Sequence, residues 1–171
     1  GIVATTHQLS DADFMLGKNT FNANGSTGAI VNDGSITAAL GGYIALLAPE
    51  VRNNGILVAQ QGTIALAAGE AITLNFSGSH KLESLTISPA LFKALVDNKT
   101  AVRAPGGLVI LSARAINQIA GSVTNSGAAD ASSVSVQGGR IILDGDFVSN
   151  AGSILAGSNG QSGGQVSVNA G

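Results

Sequence analysis

The apolar residues of this chain fall into columns that recur in successive stretches of sequence. The stretches align on five asparagines, which follow one another at intervals of 21, 45, 27 and 25 residues. The interval of 45 is about two periods, which indicates an irregular coil or an insertion within it. The aligned residues are Asn32, Asn53, Asn98, Asn125 and Asn150.

Two positions at fixed distances from each asparagine and two at fixed distances from a later glycine carry Ile, Leu or Val at 19 of 20 places, while the residues between them vary freely. Such alternation is the period of a β-strand with one face buried and one face outside. The four columns, in chain order, are Ile30, Val51, Val96, Val123 and Val148; Ile36, Leu57, Val102, Ala129 and Ile154; Ile44, Ile64, Val109, Ile141 and Val166; and Leu46, Leu66, Leu111, Leu143 and Val168.

Two short strands and their turns in each repeat predict one coil of a right-handed parallel β-helix, an all-β solenoid. A leucine-rich repeat has a similar length, but its fixed Leu-x-x-Leu-x-Leu pattern is absent. We therefore predict a single β-helix fragment over residues 1–171. Its coils lie around residues 29–50, 51–72, 96–120, 121–147 and 148–171, with an irregular part at 73–95.

Small and polar residues repeat as regularly as the apolar ones. Ala38, Ala59, Ala104, Ala131 and Ala156 all stand six places after an asparagine, as expected where a coil narrows into a corner. A later glycine in each repeat provides either a positive φ or a close backbone approach. The five asparagines predict a ladder in which each side-chain amide bonds to the next. The alternative is that Asn-x-Gly is only a turn sequence.

Residues 75–95 break the repeat and predict a small insertion. Ile72–Phe76 and Leu85–Ile87 have strand character, which indicates a hairpin. Ser88 and Pro89 resemble an N-cap and a first-turn proline, which predict a short helix through Leu95. Insertions in solenoids project from one face, so this one either forms a binding surface or simply covers the core.

Composition narrows the function classes. Charged residues make up 11% of the chain, and the net charge is −2, which argues against nucleic acid as a partner. There is no cysteine, hence no disulfide framework and no thiolate metal site. The longest apolar run, Tyr43–Ala48, is far shorter than a membrane-spanning helix requires. Because the chain opens on Gly1, we expect an excised fragment.

A few side chains qualify as candidates for chemistry, and each has a structural interpretation that we prefer. Asp11 with Asp13 suits a polar turn or helix cap, and Asp144 with Asp146 suits a turn after a strand. His7 and His80 stand alone, which favours surface or loop roles over metal binding. We therefore predict no catalytic, cofactor-binding or metal site. Two pairs of opposite charges on successive coils, Arg103 with Asp130 and Arg114 with Asp146, predict surface stabilisation.

Three segments carry a resemblance to a known family. The stretches "GIVATTHQLSDADFMLG", "VNDGSITAALGGYIALLAPEVRNNG" and "GTIALAAGEAITLNFSG" closely resemble filamentous-haemagglutinin-type adhesins, which Gram-negative bacteria export by two-partner secretion. The likeness is strong over residues 1–78 and looser beyond. It implies a protein that crosses the periplasm unfolded, passes a dedicated outer-membrane β-barrel transporter and folds outside. Secretion, a cell-surface location and adhesion to host-surface or biofilm glycans follow as expectations.

One feature departs from that family, and two other functions stay open. The Asn-Pro-Asn motifs of the family's secretion region are absent, since the prolines are Pro49, Pro89 and Pro105. A β-helix that binds or cleaves polysaccharide is the first alternative. The passenger of a single-chain autotransporter is the second.

Overall fold

The repeats of the sequence form the coils of a parallel β-helix, which confirms the predicted fold class. The structure, a computed structural model, describes residues 1–117, 120–133, 138–159 and 162–171. Within these ranges it has 19 strands and one short helix, α1 (Asp11–Met15). Three sheets of parallel strands run along the stack of coils, and a fourth, antiparallel sheet lies outside it.

The three parallel sheets form the walls of the solenoid. The long-strand sheet contains β1 (Ile2–Thr5), β5 (Tyr43–Leu47), β8 (Thr63–Ala68), β13 (Leu108–Ala113), β16 (Arg140–Gly145) and β19 (Gln165–Ala170). The asparagine sheet contains β3 (Ala29–Asn32), β6 (Glu50–Asn53), β11 (Ala94–Asn98), β14 (Gly121–Asn125) and β17 (Phe147–Asn150). The short-strand sheet contains β4 (Ser35–Thr37), β7 (Ile56–Val58), β12 (Ala101–Arg103), β15 (Ala128–Asp130) and β18 (Ser153–Leu155).

Each coil therefore contributes three strands, one more than the sequence predicts. The Asn-x-Gly sequence is itself a corner that divides what the pattern shows as one strand. In the first coil, Asn32 Nδ2 donates to the Gly34 carbonyl at 3.1 Å, and the Gly34 N–H donates to Asn32 Oδ1 at 3.3 Å. The apolar alternation continues across this corner, so hydrophobic periodicity alone does not reveal it.

Pairing between coils places each apolar column in one continuous row. Val51 pairs with Val96 and Val96 with Val123, just as Leu66 pairs with Leu111 in the long-strand sheet. Column residues of the middle coils are fully buried, and Ala59, Ala104 and Ala131 lie with them in the same core. At the C-terminal end the last column members, Val166 and Val168, are about half exposed (49% and 53%). The core of the solenoid thus runs along its axis.

An antiparallel sheet packs on the outside of the long-strand sheet and creates a second core. This outer sheet contains β2 (Thr20–Asn22), β9 (Ala71–Phe76) and β10 (Leu82–Ser88), in the order β10–β9–β2. Its Ile72 and Leu82 pack with outward-facing residues of the wall such as Ala65. A wall covered on both faces requires apolar residues at nearly every position. This explains the five consecutive apolar residues of β8 that follow Thr63.

The hairpin expected in residues 75–95 is present as β9 and β10, but the helix expected between Ser88 and Leu95 is not. Ala90 instead forms a parallel bridge with Ala115 of the following coil. The Ala90 N–H donates to the Arg114 carbonyl, and the Ile116 N–H donates to the Ala90 carbonyl, both at 2.8 Å. These bonds use backbone groups that a helix would need. The cap-and-proline pattern is local, and pairing with the next coil overrides it.

The repeated glycines allow neighbouring coils to approach closely. A Cβ added to Gly62 would overlap the Gly42 carbonyl oxygen, and one added to Gly107 would overlap that of Gly62. The left-handed backbone lies one residue earlier, at Gly41 (φ 73°) and Gly106 (φ 67°). Of the two roles that the sequence allows for the aligned glycines, the structure shows close approach.

Gly55→Ala tests this steric constraint. The new Cβ would overlap the carbonyl oxygen of Gly34 on the preceding coil, so we expect unfolding to become easier by about 1–3 kcal/mol. Thermal and urea denaturation would measure the change. Gly34→Ala is the matched control, because Gly34 is aligned with Gly55 but has nothing within 4 Å of an added Cβ. Equal destabilisation by both variants would contradict the close-approach explanation.

Candidate functional site: the asparagine ladder

The structure brings the five aligned asparagines together in a single row on the inner side of one corner. In each of the first four, Nδ2 donates to the Oδ1 of the asparagine on the next coil, at distances of 2.8–2.9 Å. The row follows the register of the asparagine sheet, in which Asn53 pairs with Asn98 although they are 45 residues apart. The chemistry of this row is hydrogen bonding alone.

The inner asparagines use their full donor capacity. Asn98 Nδ2 donates to Asn125 Oδ1 at 2.8 Å and to the Ala128 carbonyl at 3.0 Å, while its Oδ1 accepts from Asn53. Asn53, Asn98 and Asn125 are completely buried. A primary amide offers two N–H groups and a carbonyl, so it can serve both neighbouring coils at once. Buried polar groups without such partners would cost about 1–3 kcal/mol each.

The ladder is directional, since in all four bonds between asparagines the donor lies on the earlier coil and the acceptor on the next coil towards the C-terminus. At the first coil Asn32 Oδ1 accepts only from the Gly34 N–H. At the last described coil, Asn150 is exposed and its Nδ2 turns to the Gly152 carbonyl at 3.2 Å. The two ends of the stack therefore differ in hydrogen-bonding character. A coil joins the ladder by offering an acceptor to the coil before it.

A second polar cluster, formed around Arg114, crosses two coils on the outer surface. Arg114 donates to Asp144 at 2.6 Å and to Asp146 at 3.1 Å. Asp144 also accepts from Ser112 Oγ at 3.1 Å, and Asp146 accepts from the Ala115 N–H at 2.8 Å. These contacts, above all the hydrogen bond that Arg114 donates to Asp144, raise the pKa of Arg114, while desolvation opposes the rise. The cluster holds its guanidinium charged.

Of the two charge pairs that the sequence predicts, one forms an ion pair in the structure and the other does not. Arg114 and Asp146 are joined, and the Asp146 side chain is 5% exposed, so this pair is more buried than surface stabilisation implies. Arg103 and Asp130 are aligned in adjacent strands, but no ion pair joins these two described residues. Asp130 instead accepts from the Ser132 N–H at 2.9 Å, and Arg103 extends into solvent. Alignment in a sheet therefore does not ensure an ion pair.

The remaining candidates occupy separate places. Asp11 and Asp13 lie in the first turn of α1, where Ser10 caps the helix by accepting from the Asp13 N–H at 3.1 Å. Asp144 lies within β16 rather than in a turn after it. Among the described residues, no three acidic, histidine or cysteine side chains form a group that could hold a metal ion.

The two histidines differ from each other in burial. His80 is exposed at the turn of the outer-sheet hairpin, in the left-handed region (φ 61°). His7 lies in a loop, and its side chain is buried. Its Nε2 donates to the Gly69 carbonyl at 2.8 Å, because a carbonyl can only accept. His7 thereby ties the N-terminal segment to the point where the chain leaves the second coil.

No helix in the described ranges has the length and apolar character needed to cross a membrane. No family model matches the chain, and no curated protein matches it in sequence.

A solved structure shares the fold. The crystal structure of the HMW1 secretion domain from Haemophilus influenzae is similar over 98% of this chain, with a TM-score of 0.70 and 24% sequence identity. The chain spans 50% of the length of that domain. At this identity the similarity shows a common fold.

The ladder makes a quantitative prediction at its centre. Asn98→Ala removes three hydrogen bonds and leaves partners on two neighbouring coils unsatisfied, so we expect a loss of about 3 kcal/mol in the free energy of unfolding. Asn54→Ala is the control, because it removes one exposed amide hydrogen bond outside the ladder, to Asp33, and should cost about 0.5 kcal/mol. Urea denaturation of both variants would measure these values. A small effect at Asn98 would show that the buried amides contribute nothing net.

The Arg114 cluster yields a second prediction. Arg114→Met keeps the length of the side chain but leaves the buried Asp146 without its cation, so we expect a loss of about 2–4 kcal/mol. The control is Arg103→Met, which removes an exposed arginine that makes no ion pair and should change stability by less than about 0.5 kcal/mol. Thermal denaturation distinguishes the two. Similar losses would mean that the cluster is no more important than an exposed charge.

Proposed function

We propose that this chain is the β-helical segment of a secreted adhesin of the filamentous-haemagglutinin type that supports its own export by two-partner secretion. The observation that carries the proposal is the shared fold with the HMW1 secretion domain over 98% of the chain. The resemblance of residues 1–78 to that family supports it independently. The protein would be released to the outside or the cell surface, and its partner in export would be an outer-membrane β-barrel transporter.

The mechanism is the stepwise stacking of coils as the chain emerges. Each folded coil presents three strand edges, an apolar row and a side-chain amide donor, which together form a template for the coil that follows. Neighbour-to-neighbour contacts let folding proceed from the first coil without waiting for distant segments. Burial of each new coil releases free energy that opposes return of the chain through the transporter.

Stacking rather than turnover is the proposed activity. The carboxylates Asp144 and Asp146, which are the best candidates for glycan cleavage, are both bound by Arg114 in the structure. Catalysis by paired carboxylates requires groups that can exchange a proton or attack a sugar. Attachment to host-surface or biofilm glycans would be a task of the whole adhesin, to which this segment contributes a rigid, exported support.

Export by a transporter gives the deciding experiment. The chain, preceded by a signal peptide, would be produced in a Gram-negative host with and without the two-partner transporter encoded in the same genome. We expect folded protein in the medium only when the transporter is present, measured by immunoblotting of medium and periplasm.

A transporter with its pore-lining domain intact but its periplasmic domains deleted is the matched control and should leave the chain in the periplasm. Release that is independent of the transporter, or retention when the intact transporter is present, would contradict the proposal.

A further inference from the structure

A cleft lies at the base of the outer-sheet hairpin, where the chain leaves one coil and returns to the next. Gly69 and Glu70 form the exit, and the segment 90–93 forms the return. Pro49 and Glu50 of the preceding coil line the same cleft, which has a cavity volume of about 140 Å³. This volume suits one bulky side chain rather than a folded domain, so the occupant would be a small group or part of an extended chain.

The walls of the cleft are held by backbone hydrogen bonds. The Glu70 N–H donates to the Ser88 carbonyl at 2.9 Å, and the Glu70 carbonyl accepts from Ala23 at 2.8 Å. The Pro49 carbonyl accepts from the Leu95 N–H at 3.0 Å. Gly69 has no space for a side chain, because a Cβ would overlap Ile87 of the hairpin. The cleft is therefore shaped by the backbone of the fold itself, as binding sites commonly are.

The rim of the cleft exposes two large apolar side chains. Leu91 is 57% exposed and Phe92 is 79% exposed, and neither packs in the core of the solenoid or in the second core under the outer sheet. Together with Pro49 they give the cleft an apolar side. Neighbouring apolar side chains left in solvent next to a cavity are typical of a surface that binds a partner.

The charged side chains at the cleft indicate which kind of ligand it would bind. Glu50 is bound by Arg52, with Nε to Oε1 at 2.7 Å, so its charge is largely compensated. The Glu70 carboxylate, which is partly buried, forms no ion pair or side-chain hydrogen bond with the part of the chain that the structure describes. The ammonium group of Lys93, which is exposed at the same cleft, likewise has no ion-pair partner there. A ligand therefore meets one uncompensated anion and one uncompensated cation beside an apolar surface.

We propose that this cleft binds an extended peptide segment in which a bulky apolar residue stands next to a lysine or arginine. The apolar side chain would pack against Phe92 and Leu91, and the basic side chain would pair with Glu70. Lys93 would donate to a backbone carbonyl of the peptide. A neutral saccharide could stack on Phe92 but brings no cation for the partly desolvated Glu70, so the peptide fits the charges better. The inference rests on the cleft alone and stands independently of the proposed function.

The test uses two capped tripeptide amides, Ala-Phe-Lys and Ala-Phe-Glu, titrated into the isotopically labelled chain. We expect saturable changes in the NMR signals of Glu70, Leu91 and Phe92 with the lysine peptide, and binding at least about tenfold weaker with the glutamate peptide, since one favourable charge pair corresponds to about that ratio. The absence of saturable changes at these residues, or equal binding of the two peptides, would overturn the proposal.

Matched variants assign the binding to the cleft. Glu70→Gln and Phe92→Ser should each raise the Kd of the lysine peptide at least about tenfold. Glu83→Gln and Phe147→Ser remove the same groups from exposed positions outside the cleft and should leave the Kd unchanged. Glu70→Gln keeps the shape of the side chain, so it serves as the test even if Phe92→Ser disturbs folding.

Neutral lactose provides the competing arm of the experiment. We expect that it leaves the bound lysine peptide in place. Displacement of the peptide by lactose, or equal effects of the cleft variants and their controls, would contradict a peptide site with the proposed charge preference.

Discussion

The structure depends on one constraint, the exact register of parallel pairing between successive coils. Once Asn53 lies beside Asn98, every residue of the coil lies beside its counterpart at the spacing of neighbouring strands. A side chain is then always adjacent to two others in equivalent surroundings. Apolar residues must stack on apolar ones, and the corner through Gly62 and Gly107 must remain glycine, because the carbonyl of the previous coil already occupies the space of a Cβ. The low chemical variety of the sequence is a consequence of this geometry.

The same constraint explains how the chain accommodates a long insertion. The 45-residue interval between Asn53 and Asn98 contains the outer-sheet hairpin, yet the register before and after it is unbroken. The insertion leaves at Gly69 and returns near Ala90, so the coil itself is not lengthened. In return the hairpin covers the outer face of the wall, and the apolar residues that alternate outwards there become buried. The hairpin thus gives the wall a second core.

The solenoid was predictable because its sequence pattern repeats, whereas features that occur only once in the chain were not predictable. The columns through Val96 and Leu111 could be assigned because five copies of the pattern fix each position. The segment from Ser88 to Leu95 has no second copy, so its local cap-and-proline pattern predicted a helix, and the bridge between Ala90 and Ala115 was not visible in the sequence. The burial of His7 was not visible in the sequence for the same reason, since its partner is the Gly69 carbonyl, 62 residues away.

The aligned charged residues show what a repeated sequence pattern does not predict. Arg103 and Asp130 occupy aligned positions but remain apart, because Asp130 bonds to its own turn. Arg114 contacts both Asp144 and Asp146. To predict this arrangement from the sequence, one would have to know where each strand ends. Whether two apolar side chains stack depends only on their positions in the coils, since contact between any two apolar side chains is stabilising. Whether an ion pair forms depends on the directions in which two flexible side chains point, and local hydrogen bonds control those directions.

The direction of the asparagine ladder connects the fold to the order in which coils assemble. Asn53, Asn98 and Asn125 are buried, and each donates to an acceptor on the coil that follows it. Until that coil docks, the amide of the preceding coil is exposed to water, as that of Asn150 is. Docking therefore desolvates the amide and supplies its partners in the same step, so a misregistered coil buries a polar group without compensation. With apolar columns alone, one coil could shift against the next so that apolar residues still faced apolar residues, at little cost in free energy. The polar row penalises that shift, and this makes the register unique.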